Sequence, residues 1–229
     1  MSEENVMPVD MDKAFVFIDL ETMGFAIDAP IVEVGMVLTD HELKIYDEWS
    51  RVVPYSYLEW IDRCDGAALK MHQDSGLIED SIVAHERSEE DRHRSLVSIF
   101  SIEGRLARLD AFTLDRLVSW GLRPKTATFV GNSLHMDRTW MRRQMPRTDE
   151  YAHYRQVDVS SIRVLAERWH APELSKWWRT QDSPGIHHRA LDDAKFAVQE
   201  LKLYREHVFA GATIAQHIAP PQQVEEPFR

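Results

Sequence analysis

The sequence predicts an α/β fold: a mixed β-sheet of three antiparallel strands followed by parallel ones, flanked by α-helices. Two observations carry the prediction. Three runs rich in β-branched and aromatic residues fall within the first 53 positions, and beyond them short apolar runs are enclosed by long helical patterns.

The first strand is AFVFIDL at 14–20, followed by IVEVGMVLTD at 31–40 and IYDEWSRVV at 45–53. Gly24 with Asp28-Ala29-Pro30, and then Asp40-His41, interrupt them at hairpin spacing, which makes the three consecutive strands antiparallel. Residues 79–95 are charge-dense with both signs interleaved, the pattern of a solvated helix face or surface connection. A helical pattern covers 96–121, and TATFVGN at 126–132 is the fourth strand. Helical spacing returns over 133–145, a fifth strand falls at YRQVDVS (154–160), and helices follow at 160–170 and 190–209. The prolines of APPQQVEEPFR and the acidic start MSEENVMPVDMDK place flexible ends at 210–229 and 1–12 around one domain, 13–209.

Composition narrows the function classes. At 229 residues and 44% hydrophobic the chain can bury a full core. The single cysteine, Cys64, excludes an intramolecular disulfide and a cysteine-only zinc site. No window approaches the roughly 18 apolar residues of a membrane span, and the start lacks a signal-peptide pattern, so a soluble, cytoplasmic protein is expected. With 38 acids against 27 bases, the net charge of −11 repels long nucleic acids. An acidic enzyme can still act on phosphates where cations neutralise its site.

Five residues carry the chemistry: Asp19 and Glu21 in FVFIDLETMG, Asp137 in VGNSLHMD, and His188 with Asp193 in HHRALDD. Strand alternation puts Phe15, Phe17, Asp19 and Glu21 on one face and Val16, Ile18 and Leu20 on the other. Two ionised carboxylates on one covered face repel and lose hydration, at several kcal/mol each unless compensated; hard divalent cations compensate, whereas an exposed strand end would need none. Asp137 shares a helical stripe with Leu134 and Trp140, so it needs a partner: an arginine such as Arg142 or Arg168, or a metal. Asp193 stands in the first turn of the last helix, where it can also serve the helix dipole. His188, five residues earlier, cannot share its helix face and rides the loop before it.

In conjunction these residues resemble the DEDDh family of 3′-to-5′ exonucleases, and DLETMG, MHQDSGL, GNSLHMD, HYRQVDVSS, LAERW and HHRALDDA are similar to its oligoribonuclease branch. The resemblance implies a ribonuclease H-like fold and a homodimer. It also implies two divalent ions, Mg2+ or Mn2+, on Asp19, Glu21, Asp137 and Asp193, with His188 as general base. The implied substrate is very short single-stranded RNA, cut to 5′-mononucleotides. Ser133, Arg155 and Ser160 match a cap over the 5′ phosphate, Asn132 of the same GNS segment is a further substrate-binding position, and Tyr154 and Arg155 would reach into the partner's site. Ser133 and Ser160 are equally good helix N-caps, and Arg155 could pair with a surface acid. Phe25 stands where the family has a leucine wedged between bases; it either stacks or joins the core. His72 matches a family histidine near the substrate.

The chain departs from the family pattern at three places. It reads DLETMG where the family has DLEMTG. The family's stacking tryptophan has no clear equivalent, Trp60 serving only if the loop is shifted. A helical insertion is expected around 80–125. Trp140, Trp169, Trp177 and Trp178 are expected in core or dimer packing. The alternative activities are exonuclease action on single-stranded DNA or longer RNA, and a non-catalytic nucleic-acid-binding role, whose usual sign is a lost acid; here all four are present.

Overall fold

The computed structural model describes residues 10–92, 101–169 and 188–209. Five strands form one sheet: β1 (Phe15–Thr22), β2 (Ile31–Thr39), β3 (Ile45–Val52), β4 (Thr128–Gly131) and β5 (Gln156–Asp158), in the order β3-β2-β1-β4-β5. The first three pair antiparallel, and β4 and β5 add parallel to β1, as the sequence predicts. The helices are α1 (Tyr57–Arg63), α2 (Gly66–Asp74), α3 (Leu77–Arg92), α4 (Ile102–Ser119), α5 (Leu134–Gln144), α6 (Pro146–Tyr151), α7 (Val159–Trp169) and α8 (Ala190–Tyr204). The last runs into a π-helical turn, Arg205–Phe209.

Period-two alternation divides the core into two layers. Val16, Ile18 and Leu20 of β1, with Val32, Val34, Met36 and Leu38 of β2, face the layer that holds Leu106, Leu109 and Leu117 of α4 and Leu134, Trp140 and Met141 of α5. Phe17, Val37 and Val130 face Val159 and Ala166 of α7 and Ala194, Ala197, Val198 and Leu201 of α8. Within the stretch expected as an insertion, α4 is therefore part of the main core. Both central strands are covered on two faces, which is why their sequences read as almost continuous apolar runs.

Local chemistry ends the elements where the sequence suggests. Asp40 Oδ1 accepts the backbone N–H groups of Glu42 and Lys44, both at 2.9 Å, and so builds the β2–β3 turn. Ser101 caps α4 by accepting from Gly104 N, so the helix begins at Ile102; residues 93–100, the start of the expected helix, lie outside the described residues. Helices α1, α2 and α6 were not expected. A Ser56/Glu59 capping box at α1 and Pro146 in the first turn of α6 are the signals that mark two of them.

At the N-terminus, Asp12 pairs with Arg123 at 2.5 Å and Met11 packs on the core. Residues 1–9 and 210–229 lie outside the described residues, as do Trp177 and Trp178. Trp140 is in the core, but Trp169 is 70% exposed at the end of α7 and takes no part in core packing. Among the described residues no helix is long and apolar enough to cross a membrane.

Candidate active site

Asp19 and Glu21 leave the end of β1 on the face that α8 covers. Asp19 pairs with Gly35 and Glu21 with Glu33 across the β1–β2 ladder, which becomes irregular between Glu21 and Thr22. Gly35 is required by close approach, because a Cβ there would come within 2.2 Å of the Ala190–Leu191 backbone. The start of α8 thus presses directly on the strand opposite Asp19, bringing Asp193 to the same place. On the other side, a Cβ on Gly131 would come within 2.6 Å of Ile18 O, so the β4 end also closes tightly on β1.

Asp137 reaches the site from α5. It is buried, and its Oδ1 accepts the Leu20 N–H at 3.1 Å, locking the carboxylate between the two acids of β1. Neither arginine considered for it is its partner: Arg142 lies 3.7 Å from Asp149, and Arg168 is exposed on α7.

His188 precedes α8 in a left-handed conformation, φ 44°. Ligand atoms of Glu21, His188 and Asp193 lie within 4.8 Å of one another, close enough to hold one metal ion. The loop is fixed by a carboxylate that sequence reasoning passed over. Glu33 is 1% exposed and accepts from Arg189 Nε at 3.1 Å, from Arg189 Nη2 at 3.0 Å and from the Ala190 N–H at 3.1 Å. It therefore serves α8 as an N-cap supplied from β2, while Arg189 also reaches Asp80 at 2.8 Å. The Glu33/Arg189 pairing has no signal in local spacing, since 156 residues separate the partners.

The electrostatics are those of concentrated negative charge. Burial, then the charges of Asp193 and Glu33, push Glu21 up to about 8. Burial raises Asp137 to about 8 against the pull of its backbone hydrogen bonds, with Asp158 adding to the rise. Asp19 is raised well above the carboxylate range by burial and then by Asp137, Glu21 and Asp193. All three shifts run upward because burial and neighbouring carboxylates penalise the charged form.

The expected substrate residues separate into three groups. Asn132, Ser133 and Ser160 are brought together: Ser160 Oγ donates to Asn132 Oδ1 at 3.1 Å and accepts the Ser133 N–H at 3.1 Å. Neither serine's side chain caps a helix, although Ser133 occupies the N-cap position of α5. Ser133 sits at φ 51° with no capping bond, Ser160 lies inside α7, and Asp158 accepts from Ser161 N there instead. Tyr154 and Arg155 are exposed, with the guanidinium 5.2 Å from the Tyr154 ring centre, and among the described residues no acid pairs with Arg155.

Phe25 is 74% exposed beside the site loop, which removes the core reading. His72 and Trp60 are corrections. Both are fully buried, with the rings 5.5 Å apart edge to face, so neither presents a surface to a base. His72 Nε2 bonds the Thr22 carbonyl at 2.8 Å, and its Nδ1 lies 3.9 Å from Glu21, so the ring stands behind the carboxylate.

A mixed sheet whose central strand ends in two acids, joined there by acids from two helices, is a ribonuclease H-like fold with an acidic centre. A family model described as Exonuclease matches residues 113–201. The fold resembles Pop2p of S. pombe (TM-score 0.60, 14% identity, 88% of this chain and 86% of that one). It also resembles E. coli exonuclease I (TM-score 0.57, 14% identity, 86% of this chain), of which this chain spans 41%. The oligoribonuclease of Acinetobacter baylyi is 33% identical over 204 residues, 89% of this chain and 98% of that protein. That of Corynebacterium diphtheriae is 36% identical over 191 residues, 83% and 80%. The chain belongs to the oligoribonuclease family, a family of 3′-to-5′ exoribonucleases.

Proposed function

We propose that this protein hydrolyses very short single-stranded RNA from its 3′ end to 5′-mononucleotides, using two divalent cations held by Asp19, Glu21, Asp137 and Asp193 and His188 as general base. The observation that carries this reading is the meeting of those four acids from β1, α5 and α8 around one strand end, with Asp137 bonded to the backbone between Asp19 and Glu21 and Asp193 beside Glu21. Among the described residues Arg189 is the cation that acts on Glu21, and it is already engaged by Glu33 and Asp80, so ionising the crowded acids calls for cations from solution. An all-oxygen donor set suits Mg2+ or Mn2+, and the Pop2p neighbour is described as Mg2+ and Mn2+ bound.

Such ions, when bound, polarise the scissile phosphate and lower the pKa of the attacking water. The chain's own residues do the rest. His188, on a loop pinned by Arg189 and Glu33, takes the water's proton; an imidazole has an ordinary pKa of about 6.5 and is suited to that near neutrality. The Asn132 amino group and the Ser133 hydroxyl, held together by Ser160, offer with Arg155 donors suited to a terminal phosphate, and an upstream cap of this kind limits substrate length. Exposed Phe25 is placed to stack on a base, worth about 1–3 kcal/mol. Tyr154 and Arg155 complete the site of the second copy in a homodimer.

The test is hydrolysis of 5′-phosphorylated RNAs of two, four, seven and twenty nucleotides, and of a matched single-stranded DNA, with Mg2+ or Mn2+. The dinucleotide should be cut fastest, and Asp19→Asn should abolish cutting of every length. Equal rates at all lengths, or preference for DNA, would reject the short-RNA reading; an active Asp19→Asn variant would reject the metal site.

A further inference from the structure

One buried ion pair outside the acid cluster leads into the phosphate-binding residues. Glu200 of α8 has no exposed surface and lies beneath α7. Arg163 of α7 grips it with two parallel bonds, Nε to Oε1 and Nη2 to Oε2, both 2.7 Å, and Tyr204 Oη donates to Oε1 at 2.8 Å. The same Nη2 also reaches Asn132 Oδ1 at 3.3 Å. A guanidinium has no acceptor, so its contact fixes which amide atom of Asn132 is the oxygen. Oδ1 is then shared between Arg163 and Ser160 Oγ. The amino group is the part of Asn132 left for a ligand, and a ligand met by an amide N–H has to be an acceptor.

We propose that Arg163, locked on Glu200, is a positioning residue that sets the Asn132 amide so that the Asn132, Ser133 and Ser160 cluster presents donors to the 5′ phosphate of the substrate. The proposal rests on the reading of that cluster as the 5′-phosphate subsite. Arg163 acts through Asn132 and Ser160 and does not touch the reacting atoms. Its buried anchor matters because an arginine held by two bonds to a carboxylate has little freedom to swing away. Ser133, at a positive φ and receiving its only described N–H partner from Ser160, depends on the same chain of contacts. The device links α8, which carries Asp193, through α7 to the turn between β4 and α5, which precedes Asp137. Phosphate recognition and the acid cluster thereby share one rigid frame.

The experiment compares kcat/KM for 5′-phosphorylated and 5′-hydroxyl dinucleotide RNA on the same enzyme sample, so that the ratio is independent of the fraction folded. In the unaltered protein the ratio should exceed about tenfold, as expected when hydrogen bonds to a charged group are lost. Arg163→Lys keeps a cation over Glu200 but cannot serve both carboxylate oxygens and Asn132. It should melt near the unaltered protein while the ratio falls about tenfold, through a higher KM for the phosphorylated substrate. Glu200→Gln, which loosens the fork while keeping the shape, should lower the ratio in the same direction. A ratio unchanged in both variants overturns the positioning role and leaves the phosphate subsite standing. A ratio near one in the unaltered protein overturns the subsite itself, and the positioning role with it.

Discussion

At the scale of single residues, acids whose proton affinity is raised by burial and by neighbouring carboxylates make the site, without metal, a source of instability that grows with pH. Glu21 and Asp137 are raised from 4.5 and 3.8 to about 8, so between those limits the folded chain keeps protons that the unfolded chain has released. Folding therefore takes up protons over that range, and stability falls as pH rises from about 4.5 to about 8. Urea denaturation of the chelator-treated protein should show its midpoint decreasing across this window. Added Mn2+ should restore the midpoint more at pH 8 than at pH 5, because ions compete with protons for the same oxygens. A midpoint that rises with pH in the absence of metal would contradict this. Asp19 and Glu21 were legible in the sequence because a strand's alternation is a local property. The burial of His72 was not, since it depends on Trp60 from the preceding helix and on the end of β1.

Between elements, the decisive contact joins β2 to the start of α8. Glu33 supplies the cap that Arg189, at the N-cap position, does not make with its own side chain, and Gly35 lets the helix backbone approach the sheet. Glu33→Ala should cost about 2–3 kcal/mol in denaturant titration, less than the loss of a fully buried ion pair because Arg189 is 26% exposed and keeps Asp80. The same substitution should lower kcat with little change in KM, since it frees the loop carrying His188 and leaves the Asn132 cluster untouched. An unchanged kcat would show that the pair serves stability alone. The positions of all five strands and of α4, α5, α7 and α8 were readable from periodicity, whereas α3 read only as a helix face or a surface connection and β5 proved shorter than its pattern. The short helices α1, α2 and α6 were not, because one or two turns carry too few positions for a helical period to stand out.

For the whole molecule, the prediction concerns assembly. If Tyr154 and Arg155 complete the partner's site, Asp19→Asn and Arg155→Ala enzymes, each impaired alone, should complement when mixed: a heterodimer contains one intact acid cluster served by one intact Arg155. With random exchange, activity should recover to about a quarter of the unaltered enzyme, with sedimentation showing dimers throughout. No recovery despite exchange would place Arg155 in its own site. By itself the sequence determined the succession of strands and helices along the chain, the antiparallel-to-parallel change of the sheet, the family and the candidate acids, because hydrophobic period and motif spacing are written along the chain. Only the tertiary structure decided that Ser133 and Ser160 bond each other instead of capping helices, that His72 lies behind Glu21, and that Glu33/Arg189 and Glu200/Arg163 hold the site in place. Those contacts join residues 27 to 156 positions apart, and a hydrogen bond depends on distance in space, which local periodicity does not record.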